Sequence, residues 1–124
     1  MQTQDERVEN SMPGKLTAFE LDHLLTHKGE KLTFIDVREK NELTIAAFPF
    51  EVIHLPLSES SLWQENLYKS IPRDRKIVVL CHSGIRSLNF GIWLLQQFPD
   101  LDVWNLVGGI DAWSVDIDAS IPRY

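Results

Sequence analysis

Apolar residues along this chain fall into two alternating kinds of stretch, short solid runs and longer spaced stripes. Runs at 32–37, 50–55, 76–80 and 102–106 are rich in Val, Ile, Leu and Phe, as expected of strands buried on both faces. The stretches between them carry helical spacing. Residues 16–26 open with Thr17 and, three residues on, Glu20, a capping box ahead of the stripe Phe19-Glu-Leu-Asp-His-Leu-Leu, and Gly29 marks the stop. A short helical turn at 42–48 is broken by Pro49, and a serine-rich start opens a helix over 58–68 that ends near Ile71-Pro72. Leu88, Ile92 and Leu95 recur at helical spacing over 87–98, and a last short helix begins at 110–115. Strand and helix in alternation predict an α/β fold, a parallel β-sheet flanked by helices on both faces. Residues 1–14 are polar, aperiodic and end in Pro13-Gly14, which reads as a mobile lead-in to a single domain over 15–124. The tail at 116–124 shows no periodicity.

The run at 76–80 leads directly into Cys81-His-Ser-Gly-Ile-Arg86-Ser87, and the helix follows. A thiol where a parallel strand ends and a helix begins lies among unpaired backbone N–H groups, at the positive end of the helix dipole. Gly84 permits a tight curl that turns successive N–H groups inward as an anion-binding nest. Arg86 adds a permanent positive charge. Such surroundings favour thiolate over thiol. A lone Cys closing an apolar strand is by itself an ordinary small hydrophobe. A structural Cys has no need of a glycine loop and an arginine, however, so the stretch predicts a reactive cysteine in an anion cradle.

Asp36 and Arg38 stand at the carboxyl end of the 32–37 run, where open α/β sheets place their ligand crevice. They read as neighbours of the Cys81 loop, as an ion pair capping a strand end, or as both. Gly108-Gly109, at another strand's carboxyl end, lets the backbone turn sharply or approach that loop closely. His23 and His27 are spaced as a metal pair, but no carboxylate or Cys motif accompanies them and solvated helix positions are expected. His54 and Trp113 read as structural. The charged turn Arg73-Asp-Arg-Lys76 supports a basic partner surface only weakly.

Composition narrows the class. The 124 residues carry a net charge of −6, with 44% hydrophobic and 24% charged residues, the balance of a globular domain large enough for its own core. The negative charge argues against nucleic-acid or anionic-membrane binding through the general surface. A single cysteine excludes an internal disulfide and a multi-Cys zinc site, and suits a reducing compartment. No apolar run approaches a membrane span and the acidic N-terminus is unlike a signal peptide. The expected location is the cytoplasm.

With these residues in view the chain resembles the rhodanese-like sulfurtransferases. The anchors are Ile35-Asp-Val-Arg38 with Glu42, the His54-Leu-Pro56 region, the Cys81–Ser87 loop, and Gly108-Gly-Ile-Asp-Ala-Trp113. The C-terminal pattern, through Ile-Pro-Arg-Tyr124, is similar to the rhodanese domain of adenylyltransferases that sulfurate molybdopterin synthase. The chain departs from the family's Gly-His-Ile turn, with Thr44-Ile-Ala-Ala-Phe-Pro-Phe50 in its place.

The resemblance implies a three-layer sandwich and a mechanism. Cys81 attacks the outer sulfur of a donor and becomes a persulfide, which a thiophilic acceptor then discharges. The N–H groups of His82, Ser83, Gly84, Ile85 and Arg86 would hold the terminal sulfur, and Arg86 the donor anion. Asp36, Arg38 and Ser87 would support them. No metal or organic cofactor is required. Implied donors are thiosulfate or a cysteine desulfurase; implied acceptors are cyanide, a thiol or a sulfur-carrier protein. A dedicated protein-to-protein sulfur carrier with little thiosulfate activity is the variant reading. A cysteine phosphatase or arsenate reductase also uses Cys, a nest and Arg. Four residues separate Cys81 from Arg86, one fewer than in phosphatase signatures, so the cradle is sized for a sulfur atom. A non-catalytic binding module would be expected to lack the Cys or the Arg.

Overall fold

The computed structural model describes residues 12–124, so most of the expected lead-in, residues 1–11, lies outside the described residues. One sheet contains β1 (Gly14–Leu16), β2 (Leu32–Asp36), β3 (Val52–His54), β4 (Lys76–Leu80) and β5 (Val103–Leu106). Their order is β1-β5-β4-β2-β3 and every pairing is parallel. The helices among the described residues are α1 (Ala18–His23), α2 (Lys40–Ile45), α3 (Ser60–Trp63), α4 (Leu67–Ser70), α5 (Ile85–Gln97) and α6 (Gly109–Asp116).

The apolar run of β4 divides by strand alternation between the two faces. Ile77, Val79 and Cys81 join Leu67 of α4 and Phe90, Leu94 and Leu95 of α5 in one cluster. Val78 and Leu80 join Ala18 and Leu21 of α1 and Ile110 and Trp113 of α6 in the other. Each fully buried Leu or Ile contributes about 1.5–3 kcal/mol relative to exposure, so covering both faces is what holds the central strand. The expected α/β sheet with helices on both faces is present.

The sheet has one strand more than the runs indicate. Gly14, read from sequence as the last lead-in residue, opens β1, which pairs with β5 from Gly14↔Trp104 to Leu16↔Leu106. Three residues of which only Leu16 is buried carry no period to detect. The helix expected over 58–68 is instead broken. A 3₁₀ turn at Leu57–Glu59, α3, a second 3₁₀ turn at Gln64–Asn66 and α4 follow one another. Trp63 turns inward there, donating from Nε1 to the Pro56 carbonyl at 2.8 Å and packing edge-on against Phe90 and Trp93. The 16–26 helix keeps its Thr17–Glu20 capping box but widens after His23 into a turn over Leu24–Lys28, ended by Gly29. His23 and His27 are exposed and stacked on one another, 4.6 Å between ring centres. In the charged turn, Arg73, Arg75 and Lys76 are paired with Asp100, Asp74 and Glu30, so it presents no bare basic patch.

Candidate active site

Cys81 follows β4 directly, and α5 begins at Ile85, two residues earlier than the stripe predicts. Arg86 therefore belongs to the first helical turn. Gly84 makes the entry possible with φ of +100°, and a Cβ there would lie 2.9 Å from the Gly108 nitrogen. The loop is clamped from the opposite side by α6. Ile110 N–H donates to the Cys81 carbonyl (2.9 Å) and Asp111 N–H to the His82 carbonyl (3.1 Å). These carbonyls would otherwise be the i−4 acceptors of Ile85 and Arg86. In a trans peptide the N–H points opposite the C=O, so drawing the two carbonyls to α6 turns the His82 and Ser83 N–H groups the other way.

Gly109 is the contact that permits the clamp. Its φ is +62° and a Cβ would fall within contact distance of the Cys81 and His82 carbonyl oxygens. Gly109→Ala is expected to cost about 2–5 kcal/mol through strain and overpacking. Denaturant midpoints measure the loss, and the rate of Cys81 alkylation should change with it because the loop must shift.

The sulfur receives N–H donors from Gly84 at 3.1 Å and Ser87 at 3.3 Å. The Ser87 hydroxyl stands 3.3 Å from Sγ and donates to Asn105 Oδ1 at 2.6 Å. Asn105 Nδ2 in turn donates to the Gly84 carbonyl at 3.1 Å, so one amide orients both the serine and the glycine turn. Asn105 is absent from the sequence reading. Its signal is a polar side chain inside an apolar strand neighbouring β4. Ser87, expected only in support, touches the sulfur through both backbone and side chain. Cys81 is 1% exposed, so only the tip of a reagent reaches it, whereas Ser83 and Ile85 are exposed on the rim.

Asp36 and Arg38 form the ion pair that the sequence allowed. Both are fully buried. Asp36 accepts from Arg38 Nη2 at 2.8 Å, from Nε at 3.0 and 3.2 Å, and from its backbone N–H at 3.0 Å. Burial, the largest single influence, opposes the Arg38 charge, but the hydrogen bonds with Asp36 and Tyr124 and the charge of Asp36 together outweigh it, so the guanidinium pKa is raised. His54, expected to be structural, lies with Nε2 2.6 Å from the Arg38 carbonyl, an acceptor only, so that nitrogen carries the proton.

This pair is tied to the loop through the C-terminal segment. Arg38 Nη1 donates to Tyr124 Oη at 3.0 Å, and Tyr124 donates to Glu42 Oε1 at 2.9 Å. The Tyr124 ring stacks on His82 with 3.9 Å between centres. Glu42 in turn holds Arg86 in two bonds of 2.8 Å, Nη1 to Oε2 and Nη2 to Oε1. Arg86, expected to hold the donor anion, is joined to a carboxylate. The aperiodic tail gave no sign that Tyr124 closes this network.

The hydrogen bonds from Arg86 are the largest cause holding the Glu42 carboxyl at about 2, below its ordinary 4.5, with burial acting against them. A depressed folded-state value stabilises the fold above the unfolded value. The contribution of Glu42 is therefore complete above about pH 4.5 and lost as pH falls toward 2. Melting curves of wild type and Glu42→Gln should differ by a constant amount above that window and converge below it.

Among the described residues no His, Cys, Asp and Glu cluster is suited to a metal ion, and no helix is long and apolar enough to cross a membrane.

Known proteins resemble this chain in sequence and in fold. The chain is 38% identical over 96 residues to Rhodanese-like/PpiC domain-containing protein 12, chloroplastic, of Arabidopsis thaliana, covering 77% of this chain and 31% of that one. It is 29% identical over 115 residues to the adenylyltransferase and sulfurtransferase UBA4 of Lodderomyces elongisporus, covering 89% and 25%. The chain thus spans a third or less of these relatives. A solved rhodanese-related protein from Thermoplasma volcanium superposes with a TM-score of 0.65 at 28% identity, covering 84% of this chain and 93% of that one. The rhodanese-like domain profile itself matches residues 17–116, from the cap of α1 to the end of α6, and this chain belongs to the rhodanese-like domain family.

Proposed function

We propose that the protein is a sulfurtransferase that carries sulfane sulfur on Cys81. The observation that supports this most is the pair of backbone donors on a buried sulfur, the Gly84 and Ser87 N–H groups on Sγ. Preorganised donors of this kind stabilise negative charge on sulfur, both on the attacking thiolate and on a persulfide. With thiosulfate as donor, the thiolate attacks the outer sulfur, an S–S bond forms, and the bond to the inner sulfur breaks with its electron pair leaving on sulfite. Cyanide or a thiolate then takes the outer sulfur and returns the thiolate. The residues present call for no cofactor. A single cysteine leaves the persulfide no internal thiol to collapse onto, which favours a sulfur carrier over a thiol oxidoreductase and suits a reducing, cytoplasmic setting. A cysteine desulfurase as donor and a sulfur-carrier protein as acceptor fit the same chemistry.

Intact mass tests the proposal. Incubation with thiosulfate should add one sulfur, and cyanide should remove it. If neither thiosulfate nor a cysteine desulfurase with cysteine adds a sulfur, the proposal fails.

A further inference from the structure

Two features beside the loop have no part in holding the sulfur. One is the charge state of the rim. Arg86 is met by both oxygens of Glu42, and Arg38 by Asp36, so the two arginines nearest the loop are each compensated by a carboxylate. The other is a groove of about 360 Å³ running along α5 from Arg86, lined by Leu57, Trp63, Asn89, Phe90 and Trp93 among others. Arg86, Asn89, Phe90 and Trp93 recur on one helix face, about 10 Å long at ~1.5 Å per residue. Arg86 is the only charged residue in that lining, in a chain whose net charge is −6.

We infer that this site is built for a singly charged organic sulfur donor with an apolar body, and that Glu42 sets this preference against the doubly charged thiosulfate. The inference rests on the sulfur-transfer reading above. A thiolate attacking an anion must overcome like-charge repulsion, which grows with the donor's charge. Backbone dipoles offset part of it, but a carboxylate bonded to the rim arginine cancels most of that arginine's share. A dianion therefore loses more than a monoanion. The groove supplies what a small inorganic donor leaves unused, an aromatic cleft of ligand size with a few convergent polar groups. The Arg86 guanidinium, 38% exposed on the side chain, keeps N–H groups beyond the two that bond Glu42, enough to orient one anionic group by hydrogen bonds.

For a thiosulfonate the step balances without another reactant. The Cys81 thiolate attacks the terminal sulfur of R–SO₂–S⁻ and forms an S–S bond. The bond to the sulfonyl sulfur breaks, its electron pair leaves on the sulfinate R–SO₂⁻, and Cys81 keeps the persulfide anion. Two negative charges enter and two leave.

The test compares thiosulfate with benzenethiosulfonate on wild type and on Glu42→Gln, which keeps an oxygen acceptor for Arg86 and removes the charge. Wild type should show the higher kcat/KM with benzenethiosulfonate. Glu42→Gln should lower the KM for thiosulfate on the order of tenfold with a much smaller change for benzenethiosulfonate, and the difference should shrink as salt rises. Asn89→Trp, at an exposed groove position, should raise the KM for benzenethiosulfonate several-fold relative to that for thiosulfate. Equal shifts for both donors, or a wild-type preference for thiosulfate, would overturn the inference. Stoichiometric sulfur loading measured by mass on the same samples separates the two levels. If sulfur loads with the wrong donor ranking, this inference alone fails; if no donor loads Cys81, the sulfur-transfer reading fails with it.

Discussion

Cys81→Ser is expected to lower sulfur transfer by at least about 10³-fold and to eliminate the gain of one sulfur in intact mass. A hydroxyl in the same place is a far weaker nucleophile than a thiolate, and an oxygen–sulfur adduct has no stable counterpart to the persulfide. The cradle itself should survive. The serine oxygen can accept from the Gly84 and Ser87 N–H groups that now meet sulfur and can donate toward the Ser87 hydroxyl. Melting temperature should therefore shift by only a few degrees while activity disappears. Retained sulfur loading in a well-folded Cys81→Ser protein would remove Cys81 from the mechanism.

The largest loss of stability is expected at Asp36. Its carboxylate holds Arg38 at Nε and Nη2 as well as at the backbone, and the arginine is fully buried. Asp36→Ala strands that charge with only the Tyr124 hydroxyl and the Glu42 carbonyl as acceptors among the described side-chain contacts. Breaking a buried pair from one side costs about 3–5 kcal/mol, or roughly 10–25 °C in melting temperature for a domain of this size. Removing both partners is a different matter. The double variant Asp36→Ala with Arg38→Met should recover a substantial part of the loss, because no uncompensated charge remains. A double variant no more stable than Asp36→Ala would show that Asp36 acts through its bond to the backbone and not through the charge of Arg38.

The two kinds of apolar stretch made most of the architecture readable. Continuous runs mark β2, β4 and β5 because those strands are buried on both sides, and the loop after β4 stood out because a glycine and an arginine follow a strand-end cysteine. What escaped depends on partners distant in sequence. Asn105 and Tyr124 act by reaching the loop from β5 and from the tail, and no local pattern encodes either contact. Arg86 was located by its spacing from Cys81, but its pairing with Glu42 spans different helices, so its charge compensation was not readable. The broken segment between residues 57 and 70 follows from Trp63 packing into α5, a tertiary demand that overrides the helical pattern.

The pairing of β1 with β5 has a consequence for how the chain is made. Gly14–Leu16 finds its partners about ninety residues later, at Trp104–Leu106. On a ribosome the first strand therefore waits without a neighbour to bond while about ninety further residues are made. The other side of the sheet, β2 with β3 and then β4, has its material earlier. Folding should thus proceed outward from β2 and β4, with the β1 edge docking last and slowly, as distant parallel pairings do.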